Sequence, residues 1–177
     1  FTIAETDGST SVNESGTTDT FTIVLDAQPI SDVVIAITSD DTGEATVTST
    51  LTFTSANWDT PQTVTVTGID DSLLDGTQTS TFTISIVDES TTDEFDAVAD
   101  QTVSATTADN DVAGFTVTET DGSTGVVESG TTDTFTVVLD AQPTNDVVIA
   151  ITSSDTGEVT VNSPLTFTSA NWDTPQT

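Results

Sequence analysis

The stretch LTFTSANWDTPQTVTVTG, residues 51–68, contains two short alternating segments on either side of a turn. In LTF and in VTVTG, apolar residues alternate with Thr or Gly, which is the period-two pattern of a half-buried β-strand. Between them, Asn57–Pro61 combines residue types that favour turns, and the proline cannot donate a hydrogen bond to a sheet. This stretch therefore predicts two strands joined by a turn.

The same alternation recurs along the chain in runs that are rich in β-branched residues. The predicted strands of the first part are Phe1–Glu5, Ser11–Glu14, Thr20–Leu25, Val33–Ser39, Ala45–Phe53 with a break near Ser49, Gln62–Gly68, Ser80–Val87 and Thr102–Ala108. No helix of ordinary length is predicted. Short strands at this spacing predict an all-β fold, an immunoglobulin-like Greek-key β-sandwich.

The sequence is a tandem repeat, because LTFTSANWDTPQT occurs at residues 51–63 and again, unchanged, at residues 165–177. Alignment of Phe1 with Phe115 extends the match over 63 residues, of which 11 differ, so the period is 114 residues. This period suits a sandwich domain and is too long for a solenoid turn. We expect a complete domain at residues 1–111, a linker at 112–114, and strands A to D of a second domain at 115–177 that continues beyond the given chain.

Both tryptophans, Trp58 and Trp172, lie in the repeated stretch. The simplest expectation is that each closes the open end of its sandwich as a lid on the core. Two alternatives remain for Trp172. It would either pack at the junction of the two expected domains, beside residues 109–111, or stack against a ligand.

The composition is strongly acidic, with 30 Asp and Glu residues, no Lys, Arg or His, and a formal net charge of −30. This charge excludes nucleic acids and anionic membrane surfaces as partners, since both are bound through Lys and Arg. No apolar run is long enough to insert into a membrane. The chain has no cysteine and therefore no disulfide, so another factor must offset the mutual repulsion of the carboxylates. These features suit an extracellular location, where divalent cations are plentiful.

Acidic residues from four separate segments are predicted to meet at one end of the sandwich, because strands that alternate in direction place alternate loops together. They are Glu14, then Asp40, Asp41 and Glu44, then Asp70, Asp71 and Asp75, and finally Asp109 and Asp111. Such an arrangement can supply the six to eight oxygens that Ca²⁺ prefers. Calcium is favoured over zinc or copper because the chain has no His or Cys. The alternative is a set of solvated acidic loops without an ion.

Two segments, GIDDSLLDGTQTSTFTISI (68–86) and DNDVAGFTV (109–117), resemble the Calx-beta domain pattern. ESGTTDTFTIVLDAQP (14–29) and LTFTSANWDTPQTVTVTGIDD (51–71) resemble Calx-beta-like repeats of large bacterial surface proteins. The resemblance implies a calcium-binding β-sandwich repeated along an adhesin or other extracellular protein. The ligand candidates that it implies are Glu14, Asp70, Asp71, Asp75, Asp109 and Asp111. The sequence departs from the Calx-beta pattern in two places. Asn110 replaces the middle acid of the acidic triplet after the last strand, and Asp75-Gly76 stands where the family often has glutamates. The spacing of an EF-hand is not met.

Six further carboxylates complete the candidate metal ligands. They are Asp40, Asp41, Glu119, Asp121, Glu128 and Asp155. Glu119 and Asp121 lie near the linker and are candidates to share an ion with Asp109 or Asp111.

These observations favour a non-catalytic structural repeat of an extracellular bacterial stalk, adhesin or filament, stiffened by Ca²⁺ in its acidic loops and at domain junctions. Its expected partners are calcium ions, neighbouring repeats and other copies in a filament. The competing function is an adhesion module that binds a carbohydrate or a protein, which predicts exposed aromatic residues and diversified loops. Here the loops are copied between repeats.

Two remote alternatives are an aspartic-type protease and an ice-binding protein. The triplet Asp-Thr-Gly at 41–43 and 155–157 matches that of aspartic proteases, but the polar flanks favour a turn. Ice binding by the Thr-x-Thr pairs would need many short coils in register, which a 114-residue period does not supply. Serine nucleophiles would lack a His or Lys base. We therefore expect no enzymatic activity.

Overall fold

The structure, a computed structural model, describes residues 1–87, 95 and 97–177. The chain forms two compact units, the first being Phe1–Asp71 with Gly76–Asn110 and the second Ser72–Asp75 with Asp111–Thr177. Short 3₁₀ turns lie at Thr6–Gly8 and Thr120–Gly122. Among the described residues, no helix is long and apolar enough to cross a membrane.

The strands are β1 Thr2–Glu5, β2 Thr10–Asn13, β3 Thr18–Val24, β4 Val33–Ser39, β5 Ala45–Val47, β6 Thr50–Phe53, β7 Gln62–Gly68, β8 Leu73–Leu74, β9 Gln78–Ile86, β10 Gln101–Ala108, β11 Phe115–Glu119, β12 Phe135–Leu139, β13 Gln142–Pro143, β14 Val147–Ile149 and β15 Leu165–Phe167.

The first unit is a β-sandwich of two sheets. One sheet has the strand order β1-β3-β7-β5 and the other has the order β2-β10-β9-β4-β6. All neighbours in these sheets are antiparallel except β2 and β10, which are parallel. The predicted all-β sandwich is confirmed, and the predicted strands agree with the observed ones to within one or two residues at most ends.

The core of the first unit lies between the two sheets. Phe21 and Val66 from one sheet and Ile35 and Phe82 from the other are fully buried and belong to one apolar cluster. Their neighbours along each strand are mostly threonines that are less buried, as the period-two pattern predicts. Burial of each large apolar side chain contributes roughly 2 kcal/mol, which favours this register over a slip by one residue.

The predicted break near Ser49 is confirmed, and it is the point where the chain changes sheet. β5 pairs with β7 in one sheet, whereas β6 pairs with β4 in the other. The Thr48 N–H donates to the Thr65 carbonyl at 3.0 Å, and the next carbonyl, of Ser49, accepts from the Ile37 N–H at 2.8 Å. Two adjacent residues therefore hydrogen-bond to opposite sheets.

The second unit forms only some of the strands predicted for it. Its described residues form no strand at 124–127 or 159–161, the counterparts of β2 and β5. In the first unit these strands pair with residues 105–108 of β10 and 66–68 of β7, and the repeat counterparts of those residues are not among the 177 residues. Accordingly Val126 is 40% exposed and Val159 38%, whereas the equivalent Val12 is 4% and Ala45 0% exposed. These strands depend on partners from the later part of the repeat.

Both tryptophans pack, partly buried, against the apolar core of their own unit. The Trp58 carbonyl accepts the Leu25 N–H at 3.1 Å, and the Trp172 carbonyl accepts the Leu139 N–H at the same distance. The repeated stretch thus makes the same contacts twice, as expected for a lid on the core.

Candidate metal centre

A buried carboxylate, Glu14, lies directly after β2 and is only 1% exposed. Its N–H donates to the Ala108 carbonyl at 3.2 Å, which extends the pairing of β2 with β10 by one step. Its Oε2 accepts the Asn110 N–H at 3.0 Å. The ends of two neighbouring strands therefore fix this carboxylate.

Two further carboxylates, Asp109 and Asp111, follow β10 and are half-buried. One oxygen of each lies with one oxygen of Glu14 in a group whose members are all within 4.8 Å of one another. The Gly76 N–H donates to Asp109 Oδ2 at 2.7 Å. We call Glu14, Asp109 and Asp111 the acidic cluster.

The acidic cluster offers three carboxylate oxygens at a spacing that could hold a metal ion. Oxygens bound to one Ca²⁺ lie about 2.3–2.6 Å from the ion and hence within about 5 Å of one another. At an effective dielectric constant of about 20, two carboxylate charges at this spacing repel by about 3 kcal/mol. The sequence contains no Lys, Arg or His to offset that repulsion. The three side chains could therefore hold a hard divalent cation.

Asn110 links the acidic cluster to the loop after β7. While its backbone N–H donates to Glu14, its Nδ2 donates to Asp70 Oδ1 at 3.0 Å. The residue that replaces the middle acid of the expected triplet is therefore a donor that holds two carboxylates in place. Reasoning from the sequence treated it only as a missing ligand.

Glu44, which precedes β5, is one of the acidic residues predicted to lie at this end of the sandwich, and its burial is what the sequence did not show. Its side chain is buried, and its carbonyl accepts the Ile69 N–H at 2.9 Å and the Thr107 hydroxyl at 3.4 Å. These bonds bring the loop before β5 to the same end as β10 and the loop after β7, as the alternation of strand direction predicted. Because acids are so frequent in this sequence, no local signal distinguished Glu44 from its exposed neighbours.

The predicted ligands Asp40, Asp41 and Asp155 are exposed, and the carboxylate of each accepts a backbone N–H. Asp40 Oδ1 accepts the Thr81 N–H at 2.7 Å, while the Asp40 N–H donates to the Thr81 carbonyl at 3.1 Å. Asp41 and Asp155 each accept the N–H of the glycine two residues later at 3.0 Å. The Asp-Thr-Gly triplets therefore form the turns that their composition predicted.

The remaining candidates are spread over both units. Asp70 and Asp71 are exposed in the loop after β7, and Asp75 is half-buried in the second unit. In the second unit, the exposed ones are Glu119, Asp121 and Glu128. Within the described part of the chain, the only group of three or more carboxylates with metal-binding spacing is the acidic cluster. The other nine candidates lie outside it and stay predictions.

Comparisons with known proteins assign no family to this chain. No family model matches it, and no curated protein matches it. Among solved structures, it is similar to CBD12 from CALX1.2, a Calx-beta structure, with 14% identity, a TM-score of 0.38, and coverage of 95% of this chain and 70% of that one. It is also similar to a chaperone–tip adhesin complex of CFA/I fimbriae, with 8% identity, a TM-score of 0.40, and coverage of 94% and 84%. A third is SSP-19 of Caenorhabditis elegans, an MSP-domain-like protein, with 16% identity, a TM-score of 0.37, and coverage of 57% and 92%.

Fold and site together place the chain in a structural class rather than in a named family. It is an all-β protein built from immunoglobulin-like sandwich repeats, with a cluster of three carboxylates that could hold a metal ion.

Proposed function

We infer that this chain is a non-catalytic structural repeat of an extracellular bacterial adhesin, stalk or filament, in which bound Ca²⁺ rigidifies the acidic end of each sandwich. The observation that carries this proposal is the acidic cluster, which gathers three carboxylates within 4.8 Å in a protein without one basic side chain. An ion there would replace mutual repulsion with attraction. Water and other predicted carboxylates, such as Asp70 and Asp71, would complete its coordination.

The position of the acidic cluster in the chain supports a stiffening role. It joins the end of β2 to the end of β10, and Asp111 directly precedes residues 112–114, which connect to β11. An ion bound to all three side chains would restrict the chain where one repeat gives way to the next. Near-identity of the repeats agrees with a spacer, which needs many copies of one unit and no unique site.

Calcium binding is tested by thermal unfolding of the full chain in EDTA and in millimolar CaCl₂. A ligand at 100 times its dissociation constant stabilises the folded state by about 2.7 kcal/mol, which for a domain of this size raises the Tm by on the order of 10 °C. Isothermal titration with Ca²⁺ should give saturable binding, whereas Mg²⁺ should bind more weakly because it requires a smaller octahedral site.

The matched variants are Asp109→Asn and Asp59→Asn, which change the charge equally. Asp59 is exposed in the turn before β7, away from the acidic cluster. Asp109→Asn should remove most of the calcium-dependent rise in Tm, while Asp59→Asn should retain it. Equal Tm values for the parent chain in EDTA and in CaCl₂ would show that the acidic cluster is only a solvated surface.

A further inference from the structure

The loop after β7 is joined to neighbouring segments of the first unit by N–H groups of the chain itself. The Ile69 N–H, directly after β7, donates to the Glu44 carbonyl at 2.9 Å. Further along the loop, the Gly76 N–H donates to Asp109 Oδ2 at 2.7 Å. Two backbone donors therefore tie this loop to the segment before β5 and to the segment after β10.

Asn110 supplies two further donors, and they reach different segments of the same unit. Its backbone N–H donates to Glu14 Oε2, and its side-chain Nδ2 donates to Asp70 Oδ1 in the loop after β7, each at 3.0 Å. Any residue except proline could make the first bond, because it uses the backbone. The bond to Asp70 depends on the identity of the side chain.

An amide at position 110 can do what an acid there could not. An ionised carboxylate only accepts hydrogen bonds, so it could not donate to Asp70, and its charge would repel the neighbouring carboxylates. The sequence has no Lys, Arg or His, so no cationic side chain is available for this role. The amide of Asn110 binds the Asp70 carboxylate without adding a charge.

We propose that Asn110 is a positioning residue that holds the loop after β7 in place when no ion is bound, and that an acid at this position would make the loop depend on a cation. Where calcium is concerned, this inference rests on the proposed function. The ion then binds to loops that are already assembled, at a smaller cost in ordering. The role of Asn110 in the ion-free protein rests on its hydrogen bonds alone.

The test is amide hydrogen exchange of Ile69 in the full chain in EDTA, because this N–H closes the loop next to Asp70. In Asn110→Ala the Ile69 amide should exchange roughly fivefold faster than in the parent chain, since the bond to Asp70 is lost. In Asn110→Asp the increase should be roughly tenfold or more, since repulsion is added to the lost bond. The Val66 amide, in the buried part of β7, should keep its rate and so report that the unit is folded.

The matched control is Asn145→Asp, which adds the same charge at an exposed position of the second unit. The amide of Asn145 donates to the adjacent Thr144 hydroxyl at 3.3 Å. This variant should leave Ile69 exchange unchanged. Equal Ile69 rates in the parent chain and in Asn110→Ala would overturn the proposal, and so would a parental rate in Asn110→Asp.

Saturating CaCl₂ separates this inference from the calcium proposal. In Asn110→Asp, calcium should return the Ile69 rate to that of the parent chain, because an ion attracts the added carboxylate and Asp70 together. A variant that binds Ca²⁺ in isothermal titration and still exchanges fast at Ile69 would contradict the predicted dependence on a cation. If neither chain binds Ca²⁺, the proposed function fails, whereas the comparison in EDTA still decides the role of Asn110.

Discussion

At the residue scale, Gly68 lies where the end of β7 passes against the backbone of β2. A Cβ atom at this position would overlap the Asn13 carbonyl and contact the Val12 side chain. Gly68 is also buried, and its N–H donates to the Thr17 carbonyl at 3.0 Å. Its lack of a side chain is therefore a packing requirement between two sheets, at the end of β2 that leads to Glu14.

Gly68→Ala should lower the free energy of unfolding by about 1–3 kcal/mol, because neighbouring backbone cannot move away as a flexible side chain can. Denaturant unfolding measures the change. The control is Gly125→Ala, where a Cβ atom meets nothing within 4 Å and the equivalent residue of the first repeat is Ser11. Equal unfolding midpoints for the two variants would show that β2 and β7 do not approach so closely.

Asp133, just before β12, illustrates how the backbone alone affects an acid in this protein. Its carboxylate accepts the Gly125 N–H at 2.7 Å and the Thr134 N–H at 2.7 Å. These two bonds favour the charged form and hold the pKa of Asp133 below its ordinary value of 3.8, although burial opposes the shift.

The pH dependence follows from the sign of this shift. Because the folded-state pKa is the lower one, the stabilisation by Asp133 is fully present above the ordinary value of 3.8, which applies to the unfolded chain. It is lost as the pH falls through the lower folded-state pKa. Carboxyl ¹³C NMR should show Asp133 titrating at a lower pH than the Asp residues of an unfolded control peptide. A midpoint equal to that of the peptide would contradict the two bonds.

At the element scale, the repeated stretch LTFTSANWDTPQT forms one turn twice. Asn57 Oδ1 accepts the N–H of Thr54 at 2.5 Å and its hydroxyl at 3.1 Å, and Asn171 Oδ1 accepts the same groups of Thr168 at 2.6 and 3.1 Å. The conserved geometry fixes the turn that carries each tryptophan onto its core.

Removal of the turn asparagine should weaken only the unit that contains it. Asn57→Ala should destabilise the first unit and Asn171→Ala the second, each by about 1–2 kcal/mol, because the Thr N–H loses its acceptor. Tryptophan fluorescence in Trp172→Phe and Trp58→Phe backgrounds separates the two unfolding transitions. Ser55→Ala, an exposed change in the same turn, is the control. If Asn57→Ala unfolds like Ser55→Ala, the side-chain bonds do not stabilise the turn.

At the scale of the whole molecule, the second unit exposes residues that the first unit buries between its sheets. Val126 and Val159 lie in segments whose counterparts pair with β10 and β7. Residues 64–111 supply β10 and all but the first two residues of β7 in the first repeat, and Thr177 is equivalent to Thr63, the second residue of β7. The second repeat should therefore become a complete sandwich when this segment follows it.

A chain with residues 64–111 appended after Thr177 tests the expected domain organisation. Hydrogen exchange at Val126 and Val159 should slow to the rates of Val12 and Ala45, since new ladder bonds and a closed core protect these amides. As a control, the appended segment carries Asp in place of Val64 and Val66, which prevents core formation. Exchange that remains fast in the chain with the unaltered segment would contradict a tandem sandwich.

The strands of the first repeat could be predicted from the sequence because each depends on a local pattern. In β7, β9 and β10, apolar residues alternate with Thr or Ser, and turn residues mark the ends. The period of 114 residues was equally visible, since it requires only a comparison of letters. The gathering of acidic loops at one end followed from the alternation of strand direction.

Sequence alone determined that this protein is a tandem repeat with an all-β sandwich fold. It also determined that a cation or solvent must offset the mutual repulsion of the carboxylates. Only the tertiary structure decided which carboxylates meet, that Thr48 and Ser49 bond to opposite sheets, and that Ser72–Asp75 belongs to the second unit. The physical reason is the separation along the chain over which each interaction acts. Alternation and turn chemistry act over a few residues, whereas Glu14 reaches its partner Asn110 across 96 positions, through a register set by packing of the whole core.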